Sequence, residues 1–265
     1  MIIEFIGTPG AGKTTLLPVV MDYFDGLGFR AYTVVQAARP FAARTLIGKA
    51  ISRLAPAGLR QQLLWQVFYH LSKLYRLRFM IKNRELIYSV LRFQKKRPIT
   101  GQDREHVLYW FIHLIGYYEF LKSQLESNEA LIFDEGFIHR VVQLFASEVE
   151  EPDPDQITAY INLIPKPDLV VFPYSPKEIC EKRVYARGIW DRFRLKSREE
   201  ISRYMANSHE IVNLAVDYIQ KKGWVVLSVD NGGEDPGKAK AELHKGLSNS
   251  FTYSLQMPEF QPQAQ

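Results

Sequence analysis

The feature that most constrains this chain is the stretch GTPGAGKT at residues 7–14, which fits the pattern G-x-x-x-x-G-K-[ST] at every position. An apolar run from Ile2 to Ile6 precedes it, and a helical pattern of apolar residues follows as far as Gly26. This order predicts a strand, a tight loop and a helix. In such a loop, glycines let backbone N–H groups turn toward phosphate oxygens, and the following helix adds its positive N-terminal end. The stretch therefore predicts a site for a nucleoside triphosphate.

The residues expected to hold the nucleotide all lie in this loop. Lys13 supplies a mobile positive charge for the phosphates, and the hydroxyl of Thr14 is a candidate ligand for Mg²⁺. The expected cofactors are ATP and Mg²⁺, with GTP left open as the donor. The expected nucleotide-binding residues are Thr8, Pro9, Gly10, Ala11, Gly12, Lys13, Thr14 and Thr15.

Four more apolar runs follow along the chain and are separated by helical patterns. They lie at residues 30–36, 130–133, 168–174 and 224–229. Runs that are apolar on both faces are typical of buried parallel strands. Five such strands predict an α/β protein: a three-layer P-loop NTPase fold with a mostly parallel five-stranded sheet. Because ligands of such sheets bind at the carboxyl ends of the strands, the functional residues are expected there.

The organisation of the chain is predicted to be simple. No repeat or linker divides residues 1–248, which we expect to form one domain, whereas residues 249–265 are rich in Ser, Gln and Pro and predict a flexible tail. Cys180 is the single cysteine, which argues against a disulfide framework and favours a reducing, cytoplasmic location. The longest apolar stretch, residues 107–121, is interrupted by polar residues and is too short to span a membrane.

Two carboxylates end the third predicted strand, in the sequence ALIFDEG. Asp134 is a candidate ligand for Mg²⁺, through a water molecule, and Glu135 is a candidate to orient or deprotonate the nucleophile. The alternative for either residue is an acidic strand end that only faces solvent.

A cluster of arginines follows the fourth predicted strand, in the sequence EKRVYARGIWDRFR. Guanidinium groups held over a transferring phosphoryl group neutralise the charge that develops in the transition state. A solvated helix face explains one or two of these arginines equally well. The candidates for catalysis are Arg183, Arg187 and Arg192, with Arg194 close by.

Four stretches, taken in order, resemble the nucleotide and nucleoside kinases of thymidylate kinase type. They are IGTPGAGKTT, LIFDEGFIHRVVQLF, PDLVVFPYSPKEICEKRVYARG and KKGWVVLSVD, which together span about residues 1 to 248. The resemblance implies a five-stranded parallel core, an arginine lid that closes over ATP, a Mg²⁺ ion, and transfer of the γ-phosphoryl group to an acceptor. By position, it assigns Lys13 and Thr14 to the phosphates and the metal, Asp134 to the metal, and Arg183, Arg187 and Arg192 to the lid.

Two departures from that family concern the acceptor. The family usually has Arg after the strand-end Asp, where this chain has Glu135. After the second strand it commonly has an acidic residue followed by Pro, where this chain reads QAARP at residues 36–40. A nucleoside monophosphate acceptor is therefore in doubt. Just beyond the carboxylates, His139 and Arg140 are candidates to reach an acceptor.

Residues 56–98 form a predicted basic helical insertion on the acceptor side. Between residues 60 and 97 there are ten Lys or Arg residues and a single acidic residue, Glu85. Aromatic residues are mixed with these cations, a composition that suits a phosphorylated substrate, nucleic acid or an anionic membrane surface. The alternative is a pair of core-packing helices with a solvated basic face.

The leading hypothesis is an ATP- and Mg²⁺-dependent small-molecule kinase. Its partner is a phosphoryl acceptor that carries a hydroxyl or phosphate group, such as a nucleoside or nucleotide, and a homodimer is left open. The alternative is a P-loop NTPase that acts as a regulatory switch and binds a polyanion or membrane surface. The adjacent Asp134 and Glu135 favour this alternative, because hydrolysing ATPases often place a catalytic Glu after the metal-binding Asp. A catalytically silent nucleotide-binding module is the third reading.

Overall fold

The computed structural model describes residues 1–97, 100–189, 193–194, 196–233 and 235–255, without the side chains of residues 102 and 251–255. Strands and helices alternate along the chain. The strands are β1 (Ile2–Phe5), β2 (Arg30–Thr33), β3 (Glu129–Phe133), β4 (Leu169–Tyr174) and β5 (Val226–Asp230). The helices are α1 (Lys13–Gly26), α2 (Val34–Arg44), α3 (Leu46–Leu54), α4 (Ala57–Lys82), α5 (Arg84–Lys96), α6 (Gly101–Gln124), α7 (Arg140–Phe145), α8 (Pro154–Ile161), α9 (Lys177–Arg187), α10 (Arg198–Lys221) and α11 (Pro236–Leu255).

All five strands pair in parallel, in the order β2-β3-β1-β4-β5. In the register of the sheet, Ile3 of β1 lies between Ile132 of β3 and Leu169 of β4. The loops that leave the carboxyl ends of β3, β1 and β4 therefore lie side by side at one edge of the sheet. This is the edge at which such sheets bind ligands.

Helices cover both faces of the sheet, which explains why β1 and β3 are buried throughout. One face packs against α1 and α11 through Leu16, Val20 and Leu243. The opposite face packs against helices that include α2, α6 and α10, in a larger cluster that contains Phe41 and Ile115. The predicted three-layer α/β fold with a five-stranded parallel sheet is confirmed.

The predicted second strand at residues 30–36 is too long. The sheet keeps only Arg30–Thr33, and α2 begins at Val34. The reason lies in the sequence TVVQ, in which the side chains of Thr33 and Gln36 form a capping box. The amide N of Gln36 donates to Thr33 Oγ1 over 3.3 Å, and the amide N of Thr33 donates to Gln36 Oε1 over 2.9 Å. Two backbone donors at the helix start are satisfied in this way. This stabilises a helix even though its first two residues are β-branched valines, which favour strands.

The structure continues helix α11 into the first residues of the predicted flexible tail. Residues 249–255 are helical and continue α11, which the sequence interpretation missed. Three buried apolar residues on one face of α11 hold it against the sheet: Ala239, Leu243 and Leu247. Their spacing of four residues is a helical signal for the part of α11 that precedes residue 249. Residues 256–265 lie outside the described residues, and the extent of the single domain remains a prediction.

The basic segment forms α4 and α5, and α4 packs along α6. Phe68 stands against Tyr117 and Phe120 of α6, with ring centroids 5.0 and 5.5 Å apart. Leu64 and Phe68 of α4 are both buried. Within the described residues, no helix is both long and apolar enough to cross a membrane.

Replacing Leu247 with Ala tests whether the end of α11 belongs to the folded core. Leu247 is fully buried, so the cavity left behind should lower the free energy of unfolding by about 2–4 kcal/mol. Urea denaturation checks this value, and Asn249→Ala, at an exposed position of the same helix, is the matched control. Equal stabilities of the two variants would mean that α11 at residue 247 contributes nothing to the folded core.

Candidate functional site

The loop between β1 and α1 turns sharply at two glycines. Gly10 has φ of +86° and Gly12 has φ of +92°, a region that residues with a Cβ rarely adopt. The amide N of Ala11 donates to the carbonyl of Thr8 over 3.0 Å, which closes the turn. Helix α1 begins at Lys13, immediately after Gly12. The loop thus presents the N-terminal end of a helix at the carboxyl edge of the sheet.

Neighbouring elements hold the loop from behind. A Cβ on Gly10 would lie 2.4 Å from the carbonyl O of Cys180 in α9, and one on Gly12 would lie 2.0 Å from Nδ2 of Asn231. That Nδ2 donates to the carbonyl of Ala11 over 2.7 Å. The hydroxyl of Ser175, after β4, donates to the carbonyl of Asn231 over 2.8 Å. The ends of β4 and β5 therefore fix the shape of the loop.

A cavity of about 530 Å³ opens in front of the loop. Its walls come from the loop with α1, from α6, from the segment after β3 with α7, and from α9 and α10. The lining residues are Pro9, Gly10, Gly12, Lys13, Thr14, Thr15, His106, Val107, Trp110, Asp134, Glu135, His139, Val142, Gln143, Arg183, Arg187 and Tyr204.

The cavity brings together most of the site residues predicted from the sequence. Two predicted loop residues, Thr8 and Ala11, do not line the cavity because they are buried. Arg183 and Arg187 line the cavity, but Arg192 lies outside the described residues. The predicted residues in the cavity wall are Pro9, Gly10, Gly12, Lys13, Thr14, Thr15, Asp134, Glu135, Arg183 and Arg187.

Lys13 and Arg187 supply positive charge opposite the two carboxylates. The Nζ of Lys13 donates to the carbonyl of Gly7 over 3.0 Å. Burial lowers the pKa of Lys13 to about 8, and the charge of Arg187 acts in the same direction, while Glu135 and Asp134 oppose the shift. An anion bound beside this amine would favour its charged form.

Arg183 is held against the loop. Its Nη1 donates to the hydroxyl of Ser175 over 3.2 Å and to the carbonyl of Gly10 over 3.5 Å. Its Nη2 donates to the carbonyl of Gly233 over 3.2 Å. This arginine ties α9 to the loop and to the segment after β5, in addition to lining the cavity.

Glu135 is held by two residues of α7. Gln143 donates from Nε2 to its carboxylate over 3.2 Å, and Arg140 Nη1 lies 3.6 Å from the same oxygen. Arg140 also donates to the side chain of Gln143. Arg140 is buried and does not line the cavity, so of the two residues predicted to reach an acceptor, only His139 stands in the wall.

His139 is buried, and its Nδ1 has no hydrogen-bond partner in the described part of the chain. Burial and the nearby charges of Lys13 and Arg140 place its pKa well below the ordinary value. The imidazole is therefore neutral at pH 7 and can donate one hydrogen bond and accept another.

A buried glutamate, missed from the sequence, positions the segment after β3. Glu4 in β1 accepts from the amide N of Ile138 over 2.8 Å. Gly136 lies directly above it, where a Cβ would stand 2.3 Å from the carboxyl carbon of Glu4. Burial raises the pKa of Glu4 to about 7. The signal in the sequence is a lone acidic residue inside an otherwise apolar strand.

The cavity wall also contains residues that sequence reasoning did not identify. His106 and Trp110 stand one turn apart on α6, and the indole Nε1 donates to His106 Nε2 over 3.1 Å in the assigned tautomer. Trp110 is 45% exposed, which leaves much of its ring open to a ligand. Tyr204 of α10 adds a second aromatic ring.

The expected acceptor-side segments do not line the cavity. Residues 36–40 form part of α2 and supply no residue to the cavity lining. Residues 56–97 supply none either. The basic segment supports the wall indirectly, because Arg97 donates to the carbonyls of Leu144 and Ala146 at the end of α7. His113 packs beside the ring of Tyr109, 4.3 Å between centroids, and is no part of the site.

The donor atoms near the loop fit a magnesium ion. The hydroxyl of Thr14 and the carboxylate of Asp134 both face the cavity, and Mg²⁺ prefers such hard oxygen ligands together with water and phosphate oxygens. No group of three or more His, Cys, Asp or Glu side chains forms a metal site by itself within the described ranges. The ion would thus require the phosphates to complete its coordination.

Comparisons with known proteins give likenesses of fold only. No protein-family model matches the chain, and no curated protein does. Among solved structures, the chain is similar to deoxyadenosine kinase from M. mycoides (15% identity, 96% of this chain and 100% of that chain covered, TM-score 0.41). It is also similar to thymidylate kinase from Ehrlichia chaffeensis (11% identity, 95% and 98% covered, TM-score 0.44). At these scores the alignments add nothing to what the chain's own strand order and loop establish.

The buried carboxyl of Glu4 predicts a defined pH dependence of stability. Its folded pKa of about 7 lies above the ordinary 4.5, so its contribution is fully present below pH 4.5 and is lost as the pH rises through 7. Glu4→Gln removes this titration. Relative to the variant, the wild type should lose about 1–3 kcal/mol of unfolding free energy between about pH 5 and pH 8. Urea denaturation at both pH values measures it, and parallel pH profiles would refute the assignment.

Proposed function

We propose that this chain is an ATP- and Mg²⁺-dependent kinase that transfers the γ-phosphoryl group to a small molecule. One arrangement carries the proposal: the phosphate loop lines the same cavity as a wall that contains Trp110, His139 and Tyr204. A triphosphate in the loop would point its last phosphate toward that wall. The remaining space suits a second ligand next to the transferring group, as positioning for phosphoryl transfer requires.

The charged residues divide the work of such a reaction. Thr14 and Asp134 would hold Mg²⁺, which would neutralise part of the negative charge of the phosphates. Lys13 and Arg187 would stabilise the negative charge that spreads over the phosphoryl oxygens in the transition state. The carboxylate of Glu135, held by Gln143, would accept the proton from the acceptor hydroxyl as that oxygen forms its bond to the γ-phosphorus. The bond from the γ-phosphorus to the oxygen bridging the β-phosphate would break in the same step, and ADP would leave with that oxygen.

The acceptor is inferred to be an uncharged compound with a hydroxyl group. The cations that line the cavity, Lys13, Arg183 and Arg187, belong to the loop and α9, on the donor side. The rest of the cavity wall offers the neutral groups of His139 and Gln143 and the carboxylate of Glu135. A phosphate on the acceptor would be repelled by that carboxylate, whose partners among the described residues are Gln143 and the buried Arg140. Nucleosides and other ring-containing alcohols fit better than nucleotides.

A screen of acceptors tests the proposal. Nucleosides, nucleotides, sugars and antibiotics are each incubated with the protein, ATP and Mg²⁺, and ADP formation is followed. At least one uncharged hydroxyl compound should accelerate it, and Lys13→Ala should lower that rate at least about 100-fold. Lys238→Ala, at an exposed position of α11, is the control. ADP release that no acceptor changes, in a folded preparation, would overturn the proposal.

Two further substitutions separate chemistry from acceptor binding. Glu135→Gln should lower kcat by about 10²-fold or more with little change in the KM of the acceptor compound. The substitution removes the group that takes up the proton but keeps the size and shape of the side chain. Trp110→Ala should instead raise the acceptor KM about tenfold, since the ring would lose its contact with the bound compound. Tyr88→Ala, an exposed aromatic residue outside the cavity, controls for general effects. An unchanged kcat in the Glu135 variant would remove that residue from the mechanism.

The second candidate is an ATPase switch in which water accepts the phosphoryl group. The adjacent Asp134 and Glu135 in the cavity favour it, because a carboxylate next to the metal ligand can orient a water molecule. ADP formation without any acceptor, at a rate that Glu135→Gln abolishes, would support the switch over the kinase.

A further inference from the structure

Helix α4 carries a second apolar stripe on the side that faces away from the core. Residues 59, 63, 66, 70, 74, 77 and 81 recur at intervals of three or four and so share one face, about 33 Å long. Five of these seven residues are aliphatic, and all five are exposed: Leu59, Leu63, Leu74, Leu77 and Ile81. We call this set the outer stripe.

The outer stripe is opposite the face that packs against α6. The inward face contains Leu64, Phe68 and Phe79, which are almost fully buried. A helix that only covers a core has a polar outer face. Leu74, Leu77 and Ile81 are instead 62%, 59% and 77% exposed. Fold stability does not account for such a row, and contiguous exposed apolar surface typically marks an interaction site.

The charges around the outer stripe identify the kind of partner. Lys73 and Arg78 flank it on α4. Helix α5 follows after a single residue, and its exposed residues are Tyr88, Leu91, the cations Arg84, Arg92, Lys95 and Lys96, and the acidic Glu85. Glu119 of α6 pairs with Arg78 and Lys82 at 3.1 and 3.0 Å and neutralises one charge. The surface remains strongly positive.

We propose that the outer stripe and the exposed residues of α5 dock this protein onto an anionic lipid membrane surface. Helices that lie in the membrane interface insert aliphatic side chains between lipid headgroups, while Lys and Arg beside them attract anionic lipids. A second copy of this chain fits less well. Two copies packed stripe to stripe would bring two strongly positive segments together, each with Glu85 as its one acidic residue between residues 60 and 97.

Vesicle co-sedimentation tests the proposal with the full chain. The wild type should sediment with vesicles of phosphatidylcholine mixed with phosphatidylglycerol, less as salt rises, and little with phosphatidylcholine alone. The triple variant Leu74→Gln, Leu77→Gln, Ile81→Gln should bind the mixed vesicles at least about tenfold more weakly. A matched triple control, Leu27→Gln, Val35→Gln, Val149→Gln, changes exposed apolar residues elsewhere and should bind like the wild type.

Several results would overturn the proposal. One is failure of the wild type to bind the mixed vesicles; another is equal binding by the outer-stripe variant. Equal binding to uncharged vesicles would contradict the role of the cations. Sedimentation velocity tests whether a second copy of the chain binds this surface instead. A wild-type dimer that becomes a monomer in the outer-stripe variant would assign the surface to a second copy. Circular dichroism of each variant establishes that it is folded, as expected for substitutions at exposed positions.

Discussion

The contact between Asn231 and the phosphate loop is the constraint on which the rest of the site depends. Its side-chain amide binds the carbonyl of Ala11 and occupies the space that a Cβ on Gly12 would need. Only glycine, which has no Cβ, fits beside Asn231 and readily adopts the positive φ with which the loop turns into α1. Because Asn231 is itself held by Ser175, the last two strands of the sheet determine the shape of a loop that follows the first.

A second contact holds the opposite half of the cavity. Glu4 in β1 accepts from the backbone after Gly136, and this fixes the start of the segment that bears His139 and leads into α7. The carboxylate at position 135 is then held from the other side by Gln143. Strand β1 thus positions the loop at residues 7–14 through its end and the segment after β3 through its interior. A buried carboxyl with a raised pKa is the energetic cost of that arrangement.

The sequence revealed those parts of the molecule whose signals are local. The pattern at residues 7–14, the apolar strands and the residues Asp134, Arg183 and Arg187 were all found, because each is defined by its neighbours in the chain. The wall proposed to bind the acceptor was not predicted. Trp110 of α6 and Tyr204 of α10 both line the cavity, but they are far apart in sequence and neither fits a short motif. Residues 36–40 were expected near the acceptor by analogy with a family, but the capping box of Thr33 and Gln36 starts α2 there.

The central claim is that the cavity holds a donor and an acceptor together, and the fate of the transferred phosphoryl group tests it most directly. The protein is incubated with ATP labelled in its γ-phosphate, with Mg²⁺, and with a mixture of uncharged hydroxyl compounds, and the labelled products are separated. The account predicts that label accumulates in an organic phosphate ester and that the ester is absent when the mixture is omitted. Label found entirely in inorganic phosphate, at the same rate with and without the mixture, would contradict it.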